Sequence, residues 1–569
     1  MALPEVRQSV QDYGMASVPA STSSVFAKIG VCSAGAAKAV NAWAGPNLQA
    51  MLDALGHGPL VEACAYHRAV AGGEIITCPA TTSVVGTAGA VTHTGTGTSV
   101  LTITTSSKHP LDGYNVIITI TRAGVSLAAG TAAFTFSLDG GTTPSPEIAL
   151  PTSGSYEILG TGIVLTFAEG TFVADDTYTF TCTAPAATIS DITDAITALM
   201  ADPRTWGWVH VVGAPAPSSS SVTKCNPDAP AITLTGTPTA FVDAIVKMTL
   251  GGTLGTAKFE VSIDNGVTYG AEQTTNAGTP TYVITGTGLT LNFAAGTYVV
   301  TDTYSFGTYG GIGALFAAVD AKLSAAEEAF RYVGAILELP DASDAVLLKA
   351  TAALASARVM FAGGYCDLAS STSQAGRGIA KRPDAWPLAA WRGKLKIHED
   401  LGKVKLGSLK GISALYRDEA ATPGFGAGRI ATLRTIVGFP GFYAASDTNG
   451  DMMAPAGSDY SLSQYRAIMD RACTVNRAAM IPYLNTDLRL KKTGEIAETE
   501  ARTIETKVGS QLEAALLNGS DGRQVNALRM RIDRTEKISV THDLTTDIAL
   551  QPLGVAKTIT TTLHYVPQL

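Results

Sequence analysis

Charge is scarce in this chain. Asp, Glu, Lys and Arg make up 15% of its 569 residues and leave a net charge of −8. There is no basic run and no RNA-binding signature, which argues against nucleic acid as a main ligand, because phosphate binding needs clustered Lys and Arg. No uninterrupted apolar run reaches about 18 residues, so no membrane span is expected. The opening Met1-Ala-Leu-Pro-Glu-Val-Arg7 lacks the charged-then-apolar layout of a secretory leader. The seven cysteines (Cys32, Cys64, Cys78, Cys182, Cys225, Cys366, Cys473) are scattered and odd in number. With no CxxC spacing they read as reduced thiols of a cytoplasmic fold.

Catalytic motifs are missing too. The chain has no GxxxxGK[ST], so P-loop nucleotide hydrolysis is not expected. GxSxG, HExxH and a GxGxxG between strand and helix are also absent. Cys64 and His67 have too few partners for a metal and read as a core thiol beside a surface imidazole. His93, His109, His210 and His564 are too widely spread to define a site. Asp447-Thr-Asn449-Gly-Asp451 has the first ligands of a calcium loop, but Met452 and Ser458 stand where Gly and Glu are needed, so it reads as a turn. Asp175-Asp176 and Asp302 recur at matching positions and read as turns opening a strand. A shared cation site is the sharper alternative. Trp206 and Trp208 read as core residues. No catalytic residue, cofactor or metal is expected, and the chain reads as a structural protein.

What the chain does have is a duplication. Phe134-Thr-Phe-Ser-Leu-Asp-Gly-Gly-Thr-Thr143 returns as Phe259-Glu-Val-Ser-Ile-Asp-Asn-Gly-Val-Thr268, and Tyr156–Thr171 returns as Tyr282–Thr297. Asp176-Thr-Tyr-Thr-Phe180 returns as Asp302-Thr-Tyr-Ser-Phe306. Two copies do not make a solenoid. They read as two all-β modules, immunoglobulin-like or barrel, at 80–187 and 231–309. Strands are expected at Ser99–Thr104, Asn115–Thr121, Ala133–Leu138, Ile163–Phe167 and Thr177–Cys182. Leu138-Asp-Gly-Gly and Ile263-Asp-Asn-Gly carry hairpin-turn chemistry, since Gly and Asn tolerate positive φ.

Around the modules the texture is helical and α/β. Residues 1–79 form an N-terminal arm and core segment, with a helix near Asn47–Leu55. Residues 188–230 hold a helix that Ser190 can cap, the buried strand Trp206–Gly213 and a Pro/Ser-rich linker over 214–230. Residues 310–455 read as an α/β core, with a helix from Gly311, a strand over Tyr332–Leu339, a helix from Asp341 and a strand at Val359. The second module therefore sits between the first strand of the α/β domain and its next helix. Residues 456–569 form a C-terminal region. Ile504, Val508, Leu512, Ala515 and Leu516 make an amphipathic stripe there, and strands are expected at Ile538–Thr541 and Ile548–Leu550. Lys491-Lys492 reads as a solvated helix start. Val6, Gln8 and Val10 alternate as a short strand would. Ile559, Thr561, Leu563 and Tyr565 alternate at the chain end, where a strand pairs either at home or with a neighbouring subunit's sheet edge.

Thr435-Ile-Val-Gly-Phe-Pro-Gly-Phe-Tyr443, Ala454-Pro-Ala-Gly-Ser-Asp-Tyr460 and Tyr465-Arg-Ala-Ile-Met-Asp-Arg471 resemble the sheath proteins of contractile phage tails, in the divergent branch of Mu-like myophages. Ile336-Leu-Glu-Leu-Pro340 is similar to the sheath core. The Trp-Gly-Ala-Arg-Thr string of other sheath branches is missing, and Gly441-Phe-Tyr-Ala-Ala stands near its place. The resemblance implies an α+β multidomain protein whose α/β tail-sheath-like core is interrupted by two decorations. It implies stacked rings of copies around a tail tube protein, ending at a baseplate and a tail terminator. Such a virion component, assembled in the host bacterial cytoplasm, contracts without nucleotide and has no nucleic-acid or membrane partner. Val6, Gln8, Val10, Ile559, Thr561, Leu563 and Tyr565 would then be inter-subunit strand arms. The competing expectations are an adhesin that binds carbohydrate through the β modules, and an enzyme with a glycan-binding decoration.

Overall fold

The computed structural model describes residues 25–44, 48–104, 108–455, 457–519 and 521–557. The chain divides into two compact units. One takes 23–395 and 399–463, and the other takes 396–398 and the residues from 464 onward.

The larger unit is built on an eight-stranded sheet. Its strands are β1 (Phe26–Gly30), β2 (Asn41–Trp43), β3 (Ile75–Pro79), β4 (Trp208–Val211), β5 (Gly334–Glu338), β6 (Val359–Ala362), β7 (Ile430–Ile436) and β8 (Phe439–Ala445), in the order β2-β3-β1-β4-β5-β6-β7-β8. From β3 to β7 every pairing is parallel, and β2 and β8 join the edges antiparallel. β1, β3 and β5 are buried along their whole length, as expected for a parallel sheet covered on both faces. On one face, Phe26, Trp208, Ile336 and Met360 pack with α1 (Leu48–Leu55), α2 (Pro59–Ala71) and α6 (Ala385–Lys394). On the other, Ile29, Val209, Leu337 and Phe361 pack with α3 (Ile189–Ala201), α4 (Gly310–Glu328) and α5 (Asp344–Thr351).

Several expectations change. The α/β sheet begins at Phe26, so β1 and β3 precede both modules, and the first strand of the domain is not Trp208–Val211. Module 1 interrupts the chain after β3, and module 2 interrupts it after β4. The α3 helix is capped by Thr188, whose side chain accepts from Asp191 N–H while Asp191 accepts from Thr188 N–H. This reciprocal box places the cap two residues before Ser190. The Pro/Ser-rich stretch is not all linker. Thr223–Lys224 pairs with Thr303–Gly307, and Ser218 and Ser220 donate backbone bonds to Thr308 and Gly307. The short polar side chains leave those N–H groups free to extend the module's edge.

Each module is an open two-sheet sandwich, not a closed barrel. Module 1 has five strands on one side and three on the other, and module 2 repeats that division. The expected module 1 strands are present as Leu101–Thr104, Tyr114–Arg122, Ala133–Ser137, Ile163–Phe167 and Thr177–Cys182. Alternate residues such as Ile163, Leu165 and Phe167 point into the core between the sheets.

In the smaller unit, Glu498–Leu516 is the amphipathic helix, packed on Ala467, Ile468, Val475 and a hairpin of Val525–Ile532 with Thr546–Pro552. Ile538–Thr541 is a short helix rather than a strand. Thr541 N–H bonds back to Lys537 O, and His542 turns the chain with φ 61. Its β-branched residues sit in the hairpin connection, where Val540 faces solvent, so no sheet partner holds them extended. Lys491-Lys492 lies in a turn ahead of the helix, with Lys491 N–H bonded to Glu495 O.

Candidate functional site

The sequence-predicted arms Val6, Gln8, Val10, Ile559, Thr561, Leu563 and Tyr565 lie outside the described residues. What the structure assembles instead is a set of buried charged groups where module 1 meets the core.

Asp112 precedes the longest strand of module 1. The hairpin Tyr365–Ala369 with Ile379–Pro383 brings Arg377 and Arg382 against it. Arg382 donates to both carboxylate oxygens, at 2.8 Å to Oδ1 and more closely to Oδ2. Arg377 donates to Asp112 Oδ2 at 3.0 Å and to Gly113 O at 3.2 Å, and its guanidinium lies 4.7 Å from the Tyr114 ring centre. All three charged side chains are buried. Burial alone would raise the Asp112 carboxyl, but Arg382 and Arg377 outweigh it and hold it well below the usual carboxylate range.

The hairpin also grips a turn of module 1. Ser137 Oγ donates to Asp139 Oδ1 at 2.6 Å, and Thr143 N–H donates to the same oxygen at 2.9 Å. Asp139 Oδ2 faces the core and accepts Gly378 N–H at 2.9 Å and Ile379 N–H at 3.2 Å. Leu138 N–H donates to Gly376 O at 2.6 Å. In module 2 the turn is the same, with Ser262 Oγ to Asp264 Oδ1 at 2.7 Å and Thr268 N–H to Oδ1 at 2.8 Å. There, however, Asp264 Oδ2 accepts from the hydroxyl of its own Thr268.

A second buried cluster crosses three neighbouring strands on the α2/α6 face. Lys28 Nζ lies 2.7 Å from His210 Nδ1, and His210 Nε2 lies 3.0 Å from Glu338 Oε1. Trp386 Nε1 donates to that oxygen at 2.8 Å, and Gly213 N–H donates to Oε2 at 2.9 Å. A lysine donor at Nδ1 fixes the neutral Nε2–H tautomer of His210. Burial lowers Lys28 to about 8, keeps His210 well below its ordinary value and pushes Glu338 up to about 7.

Above Glu338 a cleft of about 800 Å³ opens at the carboxyl ends of β1, β4 and β5. The strand order reverses between β1 and β4, and such reversals leave a crevice in open α/β sheets. The charged groups along it are already engaged. Arg382 holds Asp112, Lys381 bonds Asp341 and lies 4.4 Å from the Tyr416 ring centre, and Tyr416 donates to Asp367 at 3.0 Å. Pairing of this kind ties neighbouring elements together.

The remaining candidates resolve as follows. Cys64 is a core thiol, but His67 is not at the surface. It is buried beside Phe26 and Lys28, and burial keeps it neutral. Asp451 is buried and accepts Ser463 N–H at 2.7 Å and Ser463 Oγ at 2.6 Å, so the 447–451 segment is an inward-tied turn. Asp176 accepts Thr96 and Gly97 N–H, while Asp302 accepts Val299 N–H and Asn226 Nδ2. The two equivalent aspartates therefore tie down backbone. Among the described residues no group of three or more His, Cys, Asp or Glu side chains is placed to hold a metal, and no helix is long and apolar enough to cross a membrane. Trp206 and Trp208 are buried in the core.

Residues 3–248 match the family model described as "DUF2586, N-terminal domain", which spans less than half of the chain. No curated protein matches. Among solved structures, a sheath tail protein from Desulfitobacterium hafniense is similar at 9% identity, over 97% of this chain and 100% of that one, with a TM-score of 0.39. The sheath tail protein Lin1278 from Listeria innocua is similar at 10% identity over 94% and 96%, with a TM-score of 0.38. A chain of the anti-feeding prophage baseplate is similar at 12% identity over 44% of this chain and 64% of its own length, with a TM-score of 0.31.

Proposed function

We propose that this chain is a structural subunit of a contractile phage tail sheath. Copies polymerise as stacked rings around a tail tube protein, between a baseplate and a tail terminator, and shorten to drive the tube through the host envelope. The observation that carries the reading is the run of sheath-like sequence over 435–471. It falls on the β7–β8 edge hairpin of the α/β core and on the helix Ser463–Met480 that follows. Two further features support it. The duplicated modules interrupt the core only between complete elements, as decorations do, and the buried charges join core elements to one another and to module 1. The protein acts without catalysis or cofactor, as part of the virion, after assembly in the host cytoplasm. The segments around Val6–Val10 and Ile559–Tyr565 serve as linking arms.

Negative-stain electron microscopy of the purified chain tests this reading. Hollow cogged tubes are expected from the full chain, or from the full chain supplied with its tube protein. Deleting residues 557–569 should abolish tubes while the thermal melt stays unchanged. Intact tubes from the truncated chain would remove the role of the arm. Dispersed particles from the full chain with tube protein present would remove the sheath reading and favour the carbohydrate-binding adhesin.

A further inference from the structure

The duplication supplies its own reference for a surface that is covered in one copy and, among the described residues, bare in the other. Strand pairing sets the equivalences. Ile120 faces Phe134 as Met248 faces Phe259, and Leu111 N–H bonds Thr161 O as Thr239 N–H bonds Thr287 O. Asp112 therefore corresponds to Ala240, Leu138 to Ile263, Thr142 to Val267, Pro144 to Tyr269 and Gly160 to Gly286.

In module 1 a turn at Gln374-Ala-Gly-Arg377, closed by Arg377 N–H to Gln374 O at 3.2 Å with Gly376 at φ 72, fills this face together with Gly378 and Ile379. Gly376 O accepts Leu138 N–H, Gln374 Nε2 donates to Gly160 O, and Arg377 reaches Asp112. Both glycines are needed for the approach. A Cβ on Gly376 would stand 2.7 Å from the Phe136 ring, and one on Gly378 would stand 2.3 Å from Thr143 Oγ1. Under that cover Leu138 is 2% exposed.

In module 2 no described residue covers the same face, which is more apolar. Ile263 is 44% exposed and Val267 80%, and Tyr269 is exposed beside them. Among the described residues no atom stands within 4 Å of a Cβ built on Gly286. Ile263 N–H, the counterpart of the group that Gly376 O accepts from, has no hydrogen-bond partner among the described residues. From the core, Lys349 reaches the base of the turn, at Asp243 and Asn265.

We infer that this face of module 2 is a docking surface for a polypeptide turn of another molecule, one in which glycines flank an apolar residue. Module 1 displays the filled form of the same surface. The surface prefers an apolar residue because Ala240 offers no carboxylate where Asp112 receives Arg377, so an arginine buried there would be unpaired. The inference does not depend on the tail reading.

The test uses the full chain and two labelled synthetic peptides matching residues 373–380, one with the natural Arg377 and one carrying R377L, followed by fluorescence anisotropy. The R377L peptide should bind saturably, and the arginine peptide at least about tenfold more weakly. Ile263→Asp with Val267→Asp, both on the surface, should abolish binding without changing the thermal melt. Val267→Asp alone should weaken it. Ala240→Asp should reverse the preference between the peptides. The proposal is overturned if neither peptide binds at millimolar concentration, if both bind equally, or if binding survives the double aspartate substitution.

Discussion

Module 1 and module 2 are one sandwich written twice, and they are attached to the core in two different ways. Their hairpin turns use the same Ser–Asp–Thr hydrogen bonds to within 0.1 Å, at 2.6 and 2.9 Å in one and 2.7 and 2.8 Å in the other. In module 1 the spare carboxylate oxygen of that turn holds core backbone, and a buried aspartate beside it holds two core arginines. In module 2 the spare oxygen closes on its own threonine, and alanine replaces the buried aspartate. Its attachments include the half-exposed Lys349, which pairs with the buried Asp243 at 2.6 Å and reaches Asn265, and Phe241, which packs against the core. A conserved fold therefore says little about whether a module belongs to the framework. That depends on one or two side chains at its base and on whether the core offers partners for them.

The largest test of this difference is Asp112→Ala. It strands Arg377 and Arg382 in a buried site and should cost about 3–5 kcal/mol, read by chemical denaturation. Acid should act at the same place. The folded Asp112 carboxyl is held low, so the unfolded chain binds the extra proton. The clamp's contribution is complete above about pH 4 and fades as the pH falls below that. The Asp112→Ala chain should lack this part of the acid sensitivity.

A matched pair gives a smaller effect. Gly160 and Gly286 have φ 74 and 78, so alanine meets similar backbone strain at both. A Cβ at Gly160 would also stand 2.9 Å from His57 of the core, whereas one at Gly286 meets nothing among the described residues. Gly160→Ala should cost about 1 kcal/mol more than Gly286→Ala, and equal costs would break the comparison. The smallest effect is expected for Lys349→Ala, about 1 kcal/mol, because the half-exposed lysine is screened by solvent although the Asp243 it covers is buried.

Local patterns in the sequence were enough to place the modules, their turns and most strands, because alternation and glycine placement are short-range signals. Ile163–Phe167 and the stripe from Ile504 to Leu516 are examples. β1 was missed because Lys28 breaks its apolar run. That lysine is tolerated only because His210 and Glu338, 182 and 310 positions away, come alongside it in the sheet. Asp112 carries no local signal for the same reason, since its arginines lie 265 and 270 residues on. Ile538–Thr541 failed in the opposite direction. Its β-branched residues favour a strand, but no neighbouring edge is there to take one. Propensity and period were legible wherever the deciding contact was local. Buried charge was not, because its partners are fixed only by topology.

Hydrogen–deuterium exchange of the full chain, followed by mass spectrometry on peptides from both modules, tests the asymmetry most directly. The strands Tyr114–Arg122 and Thr177–Cys182 should be protected to the level of the core sheet. Their counterparts Asp243–Leu250 and Thr303–Gly307 should exchange faster, and Asp112→Ala should bring the first pair to the level of the second. Equal protection of the two modules in the natural chain, or a module 1 unaffected by Asp112→Ala, would contradict the account.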